Sequence, residues 1–206
     1  MITHTGLVHR FLFPSMLWRM PSRKIFLTFD DGPHPVVTPH VLDVLKAQNA
    51  RATFFLTGSN IKGNEEIVRR IESEGHSIGI HAFHHRRSLA FSKRRTAEEI
   101  EQTAHALSSI VRQRIRLFRP PFGFFSGHTI AAAHELGFLL VMWSCLTGDF
   151  RRWSNDRVVA TALRRLSHGS ILVFHDNDLT RDTIIDILTR TIEEIRKKGF
   201  DFGAIR

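Results

Sequence analysis

The fold is decided by residues 24–35, KIFLTFDDGPHP. An apolar run ends abruptly on two adjacent carboxylates, Asp30 and Asp31, followed by Gly32 and Pro33. Side chains alternate along a strand, so neighbouring aspartates reach one site only if the strand stops at them, and a Gly-Pro pair stops it. The stretch therefore predicts a buried strand that delivers two acids at its carboxyl end. One would hold a metal; the other, kept ionised by that positive charge, would take a proton from an attacking water. The plain alternative is a capped turn at Asp31 and a surface ion pair at Asp30.

Short apolar runs alternate with amphipathic stretches along the rest of the chain, the pattern of a mainly parallel α/β sheet or barrel. Strands are predicted at 24–29, 52–56, 77–80, 116–119, 138–143 and 170–174, with a weaker closing strand in FDFGAI, residues 201–205 and the one before them. Helices are predicted from Thr38, read as the cap with Pro39 at the first helical position, to Lys46, and at 65–74, 96–112, 127–136, 155–166 and 182–198. No repeat or long linker divides the chain, so residues 24–206 are read as one catalytic domain preceded by a basic, aromatic segment, residues 1–23.

Polar residues cluster just after these strands: Asp30 and Asp31, then His81 and His85, Arg119, Asp149 and His175. In a parallel architecture the carboxyl ends of the strands form one face, so these distant residues can meet in one cleft. His81 and His85 are four apart, which on a helical turn puts both imidazoles on one face, a spacing suited to two metal ligands, with His84 as an alternative partner. Two His and one Asp leave positions open for water and substrate. Arg119 precedes Pro120 and Pro121, a rigid turn that can hold a guanidinium against a carboxylate. His175 ends an apolar strand and can act as a general acid at neutral pH.

Composition sets the outer bounds. The 206 residues are 42% hydrophobic and 24% charged, with 17 Phe and no Tyr, the balance of a folded domain whose aromatic packing rests on Phe. A net charge of +9 favours anionic partners, but the basic residues fall in short clusters with no RNA-binding motif, so no nucleic-acid partner is expected. The single cysteine, Cys145, excludes an intrachain disulfide and lies in an apolar run as a core residue. The first 23 residues are interrupted by His9, Arg10, Pro14 and Arg19, so neither a cleavable signal peptide nor a membrane span is expected. That segment is expected to pack on the domain or lie at a membrane surface, which leaves a cytoplasmic or a membrane-associated, cell-envelope location. Nothing in the sequence addresses self-association.

The motifs together resemble the polysaccharide deacetylases with the NodB homology domain, carbohydrate esterase family 4. TFDDGP (residues 28–33), the His81/His85 pair, the Arg119–Phe122 turn, the Asp149-Phe150 pair and the strand ending in His175 follow in that family's order over residues 24–200. The resemblance implies a distorted (β/α)7-8 barrel that hydrolyses N-acetyl groups of amino sugars with a divalent metal, usually zinc, with cobalt an alternative. It implies Asp30 as base, Asp31, His81 and His85 as metal ligands, and Arg119 as the residue orienting the base. It also implies Phe122 as a backbone oxyanion donor, His175 as the acid and Asp149 as the carboxylate tuning it. The implied substrate is a glycan, peptidoglycan before chitin-like oligomers; a deformylase of lipid-linked amino sugars at a membrane face and a catalytically silent glycan-binding module are the rivals. Ala82 stands where the family prefers Ser or Thr, Leu146 where many members carry Asp, and Phe150 where Trp is usual, so the histidine loop is expected to lose a hydrogen bond and the groove wall to differ.

Overall fold

The computed structural model describes residues 7–206; residues 1–6 of the N-terminal segment lie outside the described residues. The strands are β1 (Phe26–Asp30), β2 (Ala52–Leu56), β3 (Ser77–Ile80), β4 (Leu117–Phe118), β5 (Leu139–Leu140), β6 (Cys145–Leu146) and β7 (Ile171–His175). They form one seven-stranded sheet in the order β5-β4-β3-β2-β1-β7-β6, and every pairing in it is parallel. β1 lies at its centre, buried at all five positions, in register with β7 so that Asp30 stands beside His175.

The connectivity requires the sheet to curl. β5 and β6 occupy opposite edges, yet only residues 141–144 join them. A flat sheet of seven strands is about 29 Å wide, whereas that connection reaches about 17 Å at full extension. The result is the curled half-barrel of the NodB type that the sequence motifs imply, with the carboxyl ends of β1, β3, β4 and β7 gathered on one face.

Helices α1 (Leu7–Leu12), α2 (Val37–Ala47), α3 (Glu65–Ser73), α4 (Lys93–Ser108), α5 (Gly127–Glu135), α6 (Asn155–Leu163) and α7 (Ile184–Lys197) complete the chain. α7 buries Ile184, Ile187, Leu188, Ile192 and Ile195, a helical stripe that closes over the sheet with α2 and α6. Phe29 stacks between Phe54 and Phe174 on neighbouring strands, at 5.0 and 5.8 Å between ring centroids, so Phe does supply the aromatic core. Cys145 is buried, and burial pushes its thiol up to about 12, which leaves it an inert packing residue.

Three local expectations are corrected. The run at 138–143 is not one strand: it breaks after Leu140, and pairing resumes at Cys145 and Leu146, because the carbonyls of Val141 and Met142 turn to the buried guanidinium of Arg119. Thr38 does not cap α2; it lies buried inside the helix, and the ring Nδ1 of His34 accepts the N–H groups of Val36 and Val37 instead. The closing strand reduces to a single bridge between Ile25 and Phe202.

In the N-terminal segment Met16 and Trp18 are buried, Leu17 forms a parallel bridge to Val141, and Phe13 meets Phe125 edge-on at 5.0 Å. Val8, Phe11 and Leu12 of α1 stay exposed. No helix among the described residues is long and apolar enough to cross a membrane.

Candidate active site

β1 ends at Asp30, and the next residue turns the chain: Asp31 adopts φ 83°, and the Gly32-Pro33 peptide is cis. The reversal sends neighbouring carboxylates into different surroundings. Asp30 is only 4% exposed, and its Oδ1 accepts a hydrogen bond from Arg119 Nη1 at 2.6 Å. Arg119 is wholly buried and spends its other donors on Thr28 Oγ1 (2.7 Å), Val141 O (3.0 Å) and Met142 O (3.0 Å). The guanidinium also lies 4.1 Å over the Phe55 ring. Burial pulls Arg119 below its ordinary value and the Asp30 charge opposes that pull. The alternative of a surface ion pair at Asp30 is thereby removed.

Asp31 faces the histidines. Its Oδ2 accepts from Asn177 Nδ2 at 2.7 Å, while its buried Oδ1 accepts no hydrogen bond and lies 3.2 Å from His85 Nε2 and 3.6 Å from His81 Nε2. One ligand atom from each of Asp31, His81 and His85 falls within 4.8 Å of the others. Burial disfavours the Asp31 anion, but His81, His175, His85 and Asn177 outweigh it and hold the carboxyl below its usual range. His81 Nδ1 donates to Arg119 O at 2.7 Å, which orients the ring and turns Nε2 toward Asp31. Burial lowers His85 to about 4, so its ring is neutral at physiological pH. An orphaned buried carboxylate oxygen between two imidazoles is the donor set of a divalent metal site, and these residues fit one.

The two histidines do not share a helical turn. His81 directly follows β3, and Ala82 adopts φ 64°, so the chain folds back and brings the rings to 5.1 Å through a loop. The expected loss at Ala82 is offset elsewhere. Ala82 O and Phe83 O accept from Gly58 N and Ser59 N, and Glu99 Oε2 accepts from the N–H of Phe83 and His84. Glu99 also holds the His84 ring, with Oε1 3.0 Å from Nδ1, so His84 is not part of the ligand cluster.

At the end of β7, His175 Nδ1 lies 2.8 Å from Asp149 Oδ1, and the His175 backbone N–H donates to Asp149 Oδ2 at 2.7 Å. Burial opposes the charged ring, but the Asp149 charge and hydrogen bond prevail and raise His175 to about 9. Phe150 packs edge-on against the same ring at 4.9 Å. Phe122 sits in a tight turn at φ 59°, with its ring 4.2 Å from His85.

Asp30, Asp31, His81, His85, Phe122 and His175 thus line one cleft of about 410 Å³, walled by Trp143, Leu146, Phe150 and Leu179 and rimmed by Arg87 and Asn177. Arg119 and Asp149 stand behind it, each gripping a residue that faces it. Sequence reasoning missed four supports: Thr28 under Arg119, Glu99 under the histidine loop, Asn177 on Asp31, and Asp176. Buried Asp176 accepts from Gly32 N (3.1 Å) and from the Thr38 hydroxyl (2.5 Å), tying β7 to the turn after Asp31. The signal for Asp176 and Asn177 was their place immediately after a strand end.

This half-barrel carries an Asp-His-His cluster and an arginine-held aspartate at its carboxyl face, and the proteins it is similar to are polysaccharide deacetylases. The family described as polysaccharide deacetylase matches residues 19–141, and the chain belongs to it, within carbohydrate esterase family 4. Among curated proteins it is 32% identical over 193 residues to a peptidoglycan-N-acetylglucosamine deacetylase of Bacillus cereus, covering 91% of this chain and 90% of that protein. It is 31% identical over 192 residues to a chitooligosaccharide deacetylase of Bradyrhizobium, covering 87% and 88%. Among solved structures, the Bc1960 peptidoglycan N-acetylglucosamine deacetylase superposes with a TM-score of 0.89 at 30% identity, covering 95% of this chain and 94% of that one.

Proposed function

We propose that this chain hydrolyses the N-acetyl group of N-acetylglucosamine units in a glycan, peptidoglycan before chitin-like oligomers, releasing acetate. The observation that carries the reading is the orphaned Asp31 Oδ1 between His81 and His85, in the same cleft as Asp30 and His175. Asp31, His81 and His85 would hold a divalent cation, zinc or cobalt. When bound, that cation supplies a Lewis acid for the amide carbonyl and acidifies water beside it.

The chain's own groups do the rest. Asp30 accepts the proton of the attacking water: its Oδ1 is committed to Arg119, which leaves Oδ2 for that proton. Arg119 fixes the orientation of the carboxylate. The backbone N–H of Phe122, in the turn that lines the cleft, would donate to the developing oxyanion. His175, held by Asp149 through Nδ1, presents Nε2 to the departing amine and gives it a proton as the carbon–nitrogen bond breaks. Arg119 and Asp149 are positioning residues, since neither lines the cleft.

The test is acetate release from N-acetylglucosamine oligomers and peptidoglycan fragments by metal-stripped protein, with and without added zinc or cobalt, while formate release from a formylated amino sugar is scored in parallel. Metal-restored acetate release is expected. Formate alone would replace the reading with a deformylase, and glycan binding without turnover under every metal would replace it with a silent binding module. The exposed Val8, Phe11 and Leu12 of α1 favour peripheral contact with a membrane, to be checked by co-sedimentation with anionic vesicles.

A further inference from the structure

The rim of the cleft holds a cation that the proposed reaction does not use. Arg87 lines the cleft and stacks on the Phe122 ring, its guanidinium carbon 4.6 Å from the centroid, and Phe122 in turn contacts His85. Arg87 forms no ion pair with a carboxylate among the described residues, although other arginines of this chain, such as Arg70, Arg94 and Arg190, are paired. The cleft's own acids do not call for it: Asp30 is neutralised by Arg119, and Asp31 faces the histidines.

The backbone that presents Arg87 is anchored. It opens the short turn Arg87–Phe91, whose Leu89 and Ala90 are buried; the Thr96 hydroxyl donates to Leu89 O, and the Ser126 hydroxyl to Ala90 O. A guanidinium held over an aromatic ring and paired with no carboxylate has N–H groups to offer, and a planar carboxylate is what its fork matches. Arg87 is one ring removed from the ligand cluster, so the group it meets belongs to a neighbouring sugar and not to the reacting acetamide.

The geometry points to Arg87 as a specificity residue that binds the carboxylate of an acidic sugar adjoining the acetylated amino sugar, making an alternating acidic glycan the preferred substrate class. This inference rests on the deacetylase reading for its substrate, but its test is separable. Trp143 lines the cleft, so its fluorescence reports binding without turnover. The probes are a peptide-free tetrasaccharide of alternating N-acetylglucosamine and N-acetylmuramic acid, and the same tetrasaccharide with its carboxylates methyl-esterified.

Zinc-supplemented wild type is expected to bind the acid about two- to fivefold more tightly than the ester, as one ion pair at an exposed site provides. Arg87→Gln is expected to bring that ratio close to one, while Arg87→Lys keeps part of it. Arg94→Gln, which removes an equal charge from helix α4 outside the cleft lining, should leave it intact. A purely structural role against Phe122 would move both affinities and not their ratio. Equal binding of acid and ester by wild type, or a preference that survives Arg87→Gln, overturns the inference. Tighter binding of a sugar phosphate than of the acid overturns the carboxylate assignment. Acetate release is read separately: turnover without an acid preference leaves the proposed function standing alone, whereas preference without turnover leaves the recognition standing alone.

Discussion

Removing the Arg119 guanidinium tests the core of the site most severely. Arg119→Met keeps the apolar stem but leaves Asp30, only 4% exposed, as a buried unpaired carboxylate, and frees the carbonyls of Val141 and Met142. Breaking a buried ion pair from one side costs about 3–5 kcal/mol, and each abandoned carbonyl adds about 1–3 kcal/mol. Thr28 is spared, because its hydroxyl still donates to Leu172 O at 2.9 Å. The total approaches the entire stability of an ordinary domain, about 5–15 kcal/mol. Asp30→Asn should relieve the unpaired charge, so the double variant Asp30→Asn/Arg119→Met is expected to be less destabilised than the sum of the two singles by about 3 kcal/mol. Urea unfolding of the chelator-treated proteins measures the four corners of this cycle, and that coupling equals a midpoint difference of about 1–3 M. If Arg119→Met fails to fold, Arg119→Lys takes its corner: it keeps the charge but cannot reach both carbonyls and Asp30 together. Additivity within about 0.5 kcal/mol would refute the account, because it would mean the pair acts as two independent packing groups. Asp30→Asn should also retain metal while losing acetate release.

Other consequences follow from the same contacts. In the metal-free protein His175 is raised from 6.5 to about 9, so its stabilising contribution is fully present below pH 6.5 and is lost as pH rises through 9. That contribution is on the order of 3 kcal/mol. The stability advantage of wild type over Asp149→Asn should therefore be largest near pH 6 and shrink by that amount above pH 9; a pH-independent difference would break the link. His81→Ala and His85→Ala should each weaken zinc binding at least about tenfold, whereas His84→Ala should not, since Glu99 holds that ring; equilibrium dialysis separates the three. Gly32→Ala would place a Cβ 2.3 Å from Asp176 Oδ2. It should cost about 1–3 kcal/mol in thermal or urea unfolding and displace Asp31 enough to lower metal affinity.

Much of this architecture was legible in the chain because parallel strands buried on both faces read as uninterrupted apolar runs. ATFFL and SIGI coincide with β2 and β3, and KIFLTF differs from β1 only at its ends. Two of the failures share a physical origin: in each, a side chain took over backbone groups that local pattern assigns to regular structure. Arg119 took the carbonyls of Val141 and Met142 and split one predicted strand into β5 and β6, and the His34 ring took the first N–H groups of α2 and displaced Thr38 from the cap. Both partners are distant in sequence or backward along it, where periodicity carries no information. The residues facing the cleft were visible because they end strands. Glu99 was hidden because it sits within the helix α4, sixteen residues beyond the Phe83 N–H that it binds.

The opening pair Asp30-Asp31 shows how the backbone, not the residue type, assigns chemical roles here. Both are aspartates, one bond apart, in the same cleft. Asp30 still belongs to β1, so its carboxylate stays within the sheet's curvature, where Arg119 arrives from the end of β4 to saturate one oxygen. In the proposed mechanism a base so held is oriented, with one oxygen already committed to Arg119. Asp31 has left the strand through a left-handed residue, so its carboxylate swings toward the loop after β3 and keeps one oxygen without a hydrogen bond. An acceptor so held is the poorer base and the better ligand. The turn that separates them is fastened from behind by Asp176, through Gly32 N–H and the Thr38 hydroxyl, and Asp176 directly follows His175 on β7. In the proposed mechanism the strand that supplies the acid therefore also fixes the backbone that divides base from ligand, so an error in the register of β7 against β1 would disturb all three proposed roles together.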